Sequence, residues 1–142
     1  MVSTIAVGVD GSKTAAKALE MAVEFARPFS AKVVLLSALR DSAATTTGQA
    51  VDTVELEWAS NPSSRVQQML ATAQAQIQRS GVECTTMVDE GEPGDVLVRL
   101  AEECGADMLV VGNKGMNRRV LGSVPNTVAH KAGCAVLIVN TT

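Results

Sequence analysis

Short continuous apolar runs alternate with longer amphipathic segments along most of this chain. The apolar runs are residues 4–9, 32–39, 82–88, 108–111 and 135–139. Strands that are buried on both faces of a parallel sheet have this continuous apolar character, whereas the helices that cover such a sheet show apolar residues at helical spacing. The alternation therefore predicts an α/β fold, a doubly wound five-stranded parallel sheet with helices on both faces.

Four segments between these runs have apolar residues at helical spacing. The predicted helix starts are residues 10–12, Asn61 or Ser63, the turn 91–95, and Ser123 or a neighbour; the predicted ends are Pro28, Gly81, Gly105 and Gly133. Pro and Gly are expected at helix ends because Pro lacks a backbone donor and Gly readily adopts positive φ. Residues 40–60 are polar and without a clear period, which predicts a long connection.

Composition and length limit the possible classes of protein. A chain of 142 residues is typical of one domain, predicted here to span 1–142. Aromatic residues make up only 2% of the chain, the net charge is -3, and Lys and Arg form no dense run, so a nucleic-acid partner is not expected. No apolar run reaches membrane-spanning length, which predicts a cytoplasmic protein without a membrane partner.

The three cysteines are Cys84, Cys104 and Cys134. Their wide spacing, odd number and apolar neighbours favour buried thiols over a metal site or a disulfide. The chain also has no metal-ligand cluster, no nucleophile beside a plausible base and no Gly-x-Ser-x-Gly elbow. The sequence therefore predicts a protein that is not an enzyme.

A group of glycines after the fourth apolar run is the strongest functional signal. Gly112, Lys114 and Gly115 follow that run, and Gly122-Ser123 opens the last helical pattern. Glycines let backbone N–H groups approach a ligand closely, and a helix N-terminus offers unpaired donors and partial positive charge, so this arrangement suits a phosphate. An ordinary turn, a solvated Lys114 and a helix N-cap at Ser123 are the alternative interpretations.

The end of the first apolar run supplies a second signal, Gly8-Val9-Asp10-Gly11-Ser12. In doubly wound sheets, ligands bind beyond the carboxyl ends of the strands where the strand order reverses. The first and fourth strands are the candidates for that place, so these two signals predict the two sides of one crevice. Asp10 could accept a hydrogen bond from an exocyclic amine or cap the helix that follows.

The order of three motifs gives the chain a family resemblance. They are Val9-Asp10-Gly11-Ser12, Val110-Val111-Gly112-Asn113-Lys114-Gly115 and Leu121-Gly122-Ser123-Val124-Pro125. Together they resemble the universal stress protein family over the whole chain. The resemblance implies the strand order 3-2-1-4-5, a homodimer formed through the last strand and, in one branch of the family, a site for ATP or a related adenine nucleotide. Another branch lacks nucleotide.

The nucleotide-binding branch places its motif on Gly112, Gly115, Gly122 and Ser123. Only residues 116–121 separate Gly115 from Gly122, about three fewer than in the family pattern, and Arg118 and Arg119 are expected to compensate. The resemblance further implies that Asp10 and the backbone of Ala38 recognise adenine, that Val9 or Gly112 lies near the ribose and that Ser12 lies at the rim. The candidate binding set is completed by three neighbours of these residues: Gly11, Lys114 and Val124.

We therefore expect a stress-responsive regulatory dimer that binds ATP, or AMP or cAMP, with Mg²⁺ bridging the phosphates of ATP. Slow ATP hydrolysis or self-phosphorylation is the most enzymatic activity expected. The alternative is a nucleotide-free dimeric stress or adaptor protein that acts through an unknown protein partner. A receiver-like phosphorylation domain using Asp10 is a weaker alternative, because paired acidic residues beside the acceptor are missing.

Overall fold

The computed structural model describes residues 1–10, 13–39, 62–113 and 121–140, so the predicted connection 40–60 lies outside the described residues. Strands and helices alternate throughout these ranges. In chain order they are β1 (Thr4–Gly8), α1 (Lys13–Phe29), β2 (Lys32–Leu39), α2 (Pro62–Arg79), β3 (Cys84–Glu90), α3 (Pro93–Glu103), β4 (Met108–Asn113), α4 (Ser123–Lys131) and β5 (Ala135–Asn140).

The five strands form one parallel sheet in the order β3-β2-β1-β4-β5, which confirms the predicted fold and strand order. The central strand β1 pairs with β2 on one side and β4 on the other; Ile5 lies opposite Val33 and Met108. The chain first moves from β1 outward to β3 and then returns to the other side of β1. The strand order consequently reverses between β1 and β4.

The core has one layer on each face of the sheet because successive strand side chains point to opposite faces. In β1, Ile5 and Val7 pack with α1 and α2, whereas Ala6 packs with α3 and α4. All three are fully buried. Helices therefore cover both faces, as predicted, and the central strand has no solvent-exposed side.

Three helices end in the same backbone motif, in which a residue with positive φ reverses the chain. These residues are Ser30 (φ 54), Gly81 (φ 89) and Gly105 (φ 67). The predicted ends at Gly81 and Gly105 are confirmed. The end predicted at Pro28 is wrong by one residue: α1 includes Pro28 and Phe29, and the Ala31 amide then donates to the Ala26 carbonyl at 3.0 Å.

The last helix ends differently from the prediction. It stops at Lys131, and Ala132 is its C-cap in extended backbone, with φ -66 and ψ 139. Gly133 does not have positive φ, so the predicted termination by Gly133 is wrong. The chain leaves α4 in an extended conformation and needs no left-handed residue there.

Strand bounds also differ, because pairing with a neighbour rather than apolar character decides where a strand ends. The strand predicted at 82–88 occupies Cys84–Glu90, since its pairing with β2 continues to Leu39 opposite Glu90. The strand predicted at 108–111 continues to Asn113 because β5 pairs with it to Asn140. That pairing also lengthens β5 by one residue, while β1 ends one residue earlier, at Gly8.

The cysteine prediction is correct for one residue of three. Cys84 is buried in the core below α2, and burial raises the pKa of its thiol to about 11. Cys104 and Cys134 are only half-buried, so the prediction that they are buried thiols is wrong. Both lie at the edge of the layer formed by α3 and α4, where solvent reaches one side of the side chain.

We expect Gly94→Ala to lower the free energy of unfolding by about 1–3 kcal/mol, the usual cost of overpacking. A Cβ at Gly94 would lie 2.7 Å from both Cβ and Cγ2 of Thr127, so α3 and α4 would have to separate. Urea unfolding measures the change. The matched control is Gly133→Ala, whose Cβ has 3.8 Å to its nearest neighbour, Glu102 Oε1; equal destabilisation of both variants would contradict the prediction.

We also expect Asp107 to stabilise the fold in a pH-dependent way. Its Oδ2 accepts hydrogen bonds from the backbone amides of Ser3 (2.8 Å) and Thr4 (3.0 Å), which hold the pKa of this carboxyl below its usual range. A carboxyl with a lowered folded pKa contributes stability above its unfolded pKa, about 3.9, and loses it as pH falls through the folded value.

Urea midpoints of the protein and of Asp107→Asn should therefore differ at pH 7 and converge as the solution is acidified below pH 4. Glu103→Gln is the control for loss of one negative charge, since Glu103 is exposed and lies at the end of α3. A midpoint difference for Asp107→Asn that stays constant down to low pH would show that Asp107 does not act through its charge.

Candidate functional site

The candidate crevice lies between the carboxyl ends of β1 and β4, because these two strands stop pairing before either ends. Their last pair within the described residues is Val7 with Val110. Beyond that point β4 remains paired with β5, as far as Asn113 opposite Asn140. The chain after β1 likewise stays with β2, since the Val9 amide donates to the Leu36 carbonyl at 2.8 Å. The carboxyl ends of β1 and β4 are therefore held apart by their outer neighbours, at the point where the strand order reverses.

Two hydrogen bonds hold the β1 side of the crevice. The Val9 amide donates to the Leu36 carbonyl. The Val9 carbonyl accepts a hydrogen bond from Ser37 Oγ at 2.8 Å. Val9 and Ser37 are both buried. Because the Val9 amide is bonded to β2, it is not available to a ligand. Asp10 follows directly and is exposed, so its carboxylate is presented from a fixed piece of backbone.

Ala38 belongs to the part of β2 that extends past the end of β1. It pairs with Asp89 of β3 and is half-buried. In the register of β1 with β2, Gly8 lies opposite Leu36, so Ala38 is at the level of Asp10. The structure thus brings Asp10 and the Ala38 backbone to the same level at the carboxyl edge of the sheet; their role in adenine recognition stays a prediction.

The described part of the β4 side of the crevice belongs to the strand. Gly112 and Asn113, which follow the predicted strand 108–111, are the last two residues of β4 and pair with Val139 and Asn140. The Asn113 side chain is buried, and its Oδ1 accepts a hydrogen bond from the Gly122 amide at 3.0 Å. This bond connects the end of β4 directly to the start of α4.

Gly122, and not Ser123, is the N-cap of α4. Gly122 has extended backbone (φ -63, ψ 168) without a side-chain cap, and Ser123 is the first helical residue. The N-cap interpretation of Ser123 is therefore wrong. The reason is geometric: the Gly122 carbonyl accepts the first intrahelical hydrogen bond, from the Asn126 amide at 3.0 Å, while the Gly122 backbone is still extended.

The first turn of α4 retains two backbone donors. Gly122 N–H is bonded to Asn113, Pro125 has no N–H, and the Asn126 amide donates to the Gly122 carbonyl at 3.0 Å. The amides of Ser123 and Val124 have no acceptor among the residues that the structure describes. Two adjacent N–H groups at the positive end of a helix dipole form an arrangement suited to an anion.

The remaining candidates, Gly11, Ser12, Lys114, Gly115 and Arg118, lie outside the described residues, and their placement stays a prediction. Within the described ranges, no group of three or more His, Cys, Asp or Glu side chains could hold a metal ion. In the same ranges, no helix is long and apolar enough to cross a membrane.

A groove of about 350 Å³ lies away from the crevice, between α2 and β3. It is lined by Gln67, Leu70, Ala71, Gln74, Thr86 and Val88. None of these is a predicted binding residue. The groove follows one sheet edge, whereas the crevice lies beside the central strand.

Two residues that shape the crevice, Ser37 and Asn113, were absent from the predicted binding set. They are the buried polar side chains of the described core. The signal that could have found them is a polar residue at or near the end of an apolar strand, because burial there requires a hydrogen-bond partner.

The chain is similar to known proteins over nearly its whole length. The chain matches the universal stress protein family over residues 1–140. It is 36% identical to the universal stress protein Rv1636 of Mycobacterium tuberculosis H37Rv, with 98% of this chain and 97% of the relative covered.

Two solved structures of universal stress proteins are similar to this fold. A universal stress protein in complex with cAMP is 31% identical and superposes with a TM-score of 0.75, covering 99% of this chain and 98% of the other. A universal stress protein from Archaeoglobus fulgidus in complex with dAMP is 27% identical, with a TM-score of 0.69 and coverages of 97% and 98%. The extent of these matches shows that this chain belongs to the universal stress protein family.

Proposed function

We propose that this protein is a regulatory universal stress protein that binds an adenine nucleotide in the crevice between β1 and β4. The observation that carries the proposal is the pair of Ser123 and Val124 amides at the start of α4, on the β4 side of the crevice. These donors suit a phosphate, and Asp10 on the β1 side suits a base with an exocyclic amine.

Recognition of adenine is assigned to the β1 side. The exposed Asp10 carboxylate accepts from the adenine amine, and the Ala38 backbone lies at the same level. Val9 or Gly112, on the two sides of the crevice, would lie near the ribose. Ser12 is expected at the rim, with Gly11 as a further binding residue. Support for adenine comes from the relatives with cAMP and dAMP, which share 31% and 27% of their residues with this chain.

Recognition of phosphate is assigned to the β4 side. Ser123 and Val124 supply backbone donors, and Gly115, Lys114 and Arg118 complete the site from the loop between β4 and α4. ATP remains the ligand expected from the sequence. The described residues lack a protein cluster for a metal ion, so Mg²⁺ would be bound through the phosphates of ATP rather than by side chains.

The protein is proposed to act by binding and not by catalysis. Among the candidate binding residues that the structure describes, Asp10 is the one carboxylate, and catalysis through it would also require a nucleophile beside it. Nucleotide occupancy would instead change the surface that a protein partner recognises. A cytoplasmic location fits such a role.

Dimerisation is proposed through β5. This strand ends the sheet order, so one of its edges has no partner strand in the described part of the chain. Its residues Val136, Leu137 and Ile138 are half-buried and apolar. An unpaired apolar edge tends to associate, and a symmetric pair of edges closes that surface.

Calorimetric titration with ATP, AMP, cAMP and GTP tests the nucleotide site. We expect the adenine ligands to bind and GTP to bind much more weakly, since guanine presents a carbonyl where adenine has its amine. Asp10→Ala should weaken adenine binding at least about tenfold, the typical effect of losing a hydrogen bond to a charged group. Glu24→Ala, which removes an exposed carboxylate on α1, is the control.

Wild-type protein that binds none of these nucleotides would overturn the proposal in favour of a nucleotide-free adaptor. Equal affinity for ATP and GTP, unchanged in Asp10→Ala, would retain an anion site but reject the assignment of adenine to the β1 side.

Light scattering after size exclusion tests the dimer. We expect wild-type protein to be a dimer and Ile138→Lys to be a monomer at the same concentration, because a charge in the paired edge opposes association. Val98→Lys is the matched control, since Val98 is equally half-buried in the same layer but lies on α3. A monomeric wild type, or a dimer that survives in Ile138→Lys, would contradict dimerisation through β5.

A further inference from the structure

Asn113 combines burial with a polar contact that reaches across the glycine loop. It is 6% exposed and ends β4, opposite Asn140 of β5. Its Oδ1 accepts the Gly122 amide, nine positions later in the chain, at 3.0 Å. A buried amide side chain is costly unless it is hydrogen-bonded, so this position is not an ordinary strand end.

The bond joins the two ends of the loop whatever conformation the residues between them take. One end is fixed by the ladder between β4 and β5, and the other end is the N-cap of α4. Bringing the two ends of such a segment together costs conformational entropy. The hydrogen bond between Asn113 and Gly122 already holds the ends together, so a ligand that binds there has less of this entropy cost to overcome. Asn113 therefore determines where α4 starts relative to the end of β4.

The same bond decides which backbone donors remain for a ligand. It occupies the Gly122 amide, and Pro125 removes another donor, so Ser123 and Val124 supply the two amides of the first turn that lack acceptors in the described part of the chain. The position of these two amides follows from the position of Gly122. If Gly122 were released, the first turn of α4 could fray and its donors would no longer be fixed.

Gly122 itself is not constrained by conformation. Its φ of -63 is open to any residue, and a Cβ would meet its nearest neighbour, Asn113 Oδ1, at 3.5 Å, an ordinary contact. Gly122 therefore contributes its N–H group, which is bonded to Asn113, rather than the absence of a side chain.

The acceptor, Asn113 Oδ1, belongs to a neutral amide and so places no negative charge beside the phosphate-binding donors. An aspartate at residue 113 would accept the same hydrogen bond but would place a negative charge near the donors that face a phosphate. Like charges at short range disfavour binding, and the effect is larger where water is excluded. An amide oxygen provides the geometry without the repulsion.

We propose that Asn113 is a positioning residue for phosphate recognition, which holds Gly122 so that the Ser123 and Val124 amides are preorganised to bind a nucleotide phosphate. The inference rests on the proposed nucleotide site and deepens it. In this role Asn113 would contribute to the part of the affinity that depends on the phosphate, by holding Gly122 rather than by contacting the ligand.

The test compares affinities for AMP and adenosine, which differ only in the phosphate, in wild type and in Asn113→Ala and Asn113→Asp. We expect wild type to prefer AMP. Asn113→Ala should reduce the ratio of the two affinities about tenfold, and Asn113→Asp should reduce it further in a manner that high salt weakens. Adenosine affinity should stay the same in all three proteins. The matched control is Asn126→Ala, an exposed asparagine on α4, which should leave the ratio unchanged.

Hydrogen exchange of the Gly122 amide, followed by NMR without ligand, tests the contact itself. We expect slow exchange in wild type and in Asn113→Asp and fast exchange in Asn113→Ala, since only the alanine lacks an acceptor. If Asn113→Ala does not fold, the salt-dependent fall in the ratio of AMP to adenosine affinity in Asn113→Asp decides the question: its presence supports the inference and its absence overturns it.

The outcomes separate the inference from the proposed function. A wild type that binds neither adenosine nor AMP overturns both. A wild type that prefers AMP, with the same preference in both variants of Asn113, overturns the inference and leaves the nucleotide site standing. Parallel loss of adenosine and AMP binding in both variants also overturns it, because that result indicates a general structural role.

Discussion

The pairing of β1 with two parallel neighbours is the constraint on which the rest of this structure depends. β1 lies in the centre of the sheet and is buried on both faces, so its backbone groups must be satisfied by β2 and β4. Past Val7 the described residues show no further pair of β1 with β4, whereas Gly8 still pairs with Leu36 of β2 and β4 stays paired with β5 as far as Asn113. The crevice results from this arrangement, because β1 and β4 stop pairing with each other while β2 and β5 continue to hold them.

Backbone groups supply much of the chemistry of this crevice. The strand end at Val9 is held by the Leu36 carbonyl and the Ser37 hydroxyl, and the start of α4 is held by the Asn113 amide oxygen. Each buried polar side chain thus secures one side of the crevice. Such an arrangement binds a ligand through preorganised donors and acceptors, which fits a protein whose family membership is shown and whose proposed action is recognition rather than turnover.

Several parts of the fold and the site could be predicted from the sequence, and others could not. Helix ends at Gly81 and Gly105 were predictable because positive φ strongly favours glycine. The same motif at Ser30 was missed, since a serine in that conformation carries no local signal. Likewise, Gly112 and Asn113 resembled a loop by composition, and only their pairing with β5 makes them strand.

The sequence by itself determined the alternation of strands and helices, the presence of glycines after β4 and the family, because hydrophobic periodicity and short motifs are local properties of the chain. Only the tertiary structure decided where β1 and β4 part, that Gly122 rather than Ser123 caps α4, and that Ser37 and Asn113 are buried and bonded. These features depend on contacts between residues distant in sequence, and the free energy of a buried polar group is set by the partner that folding brings to it.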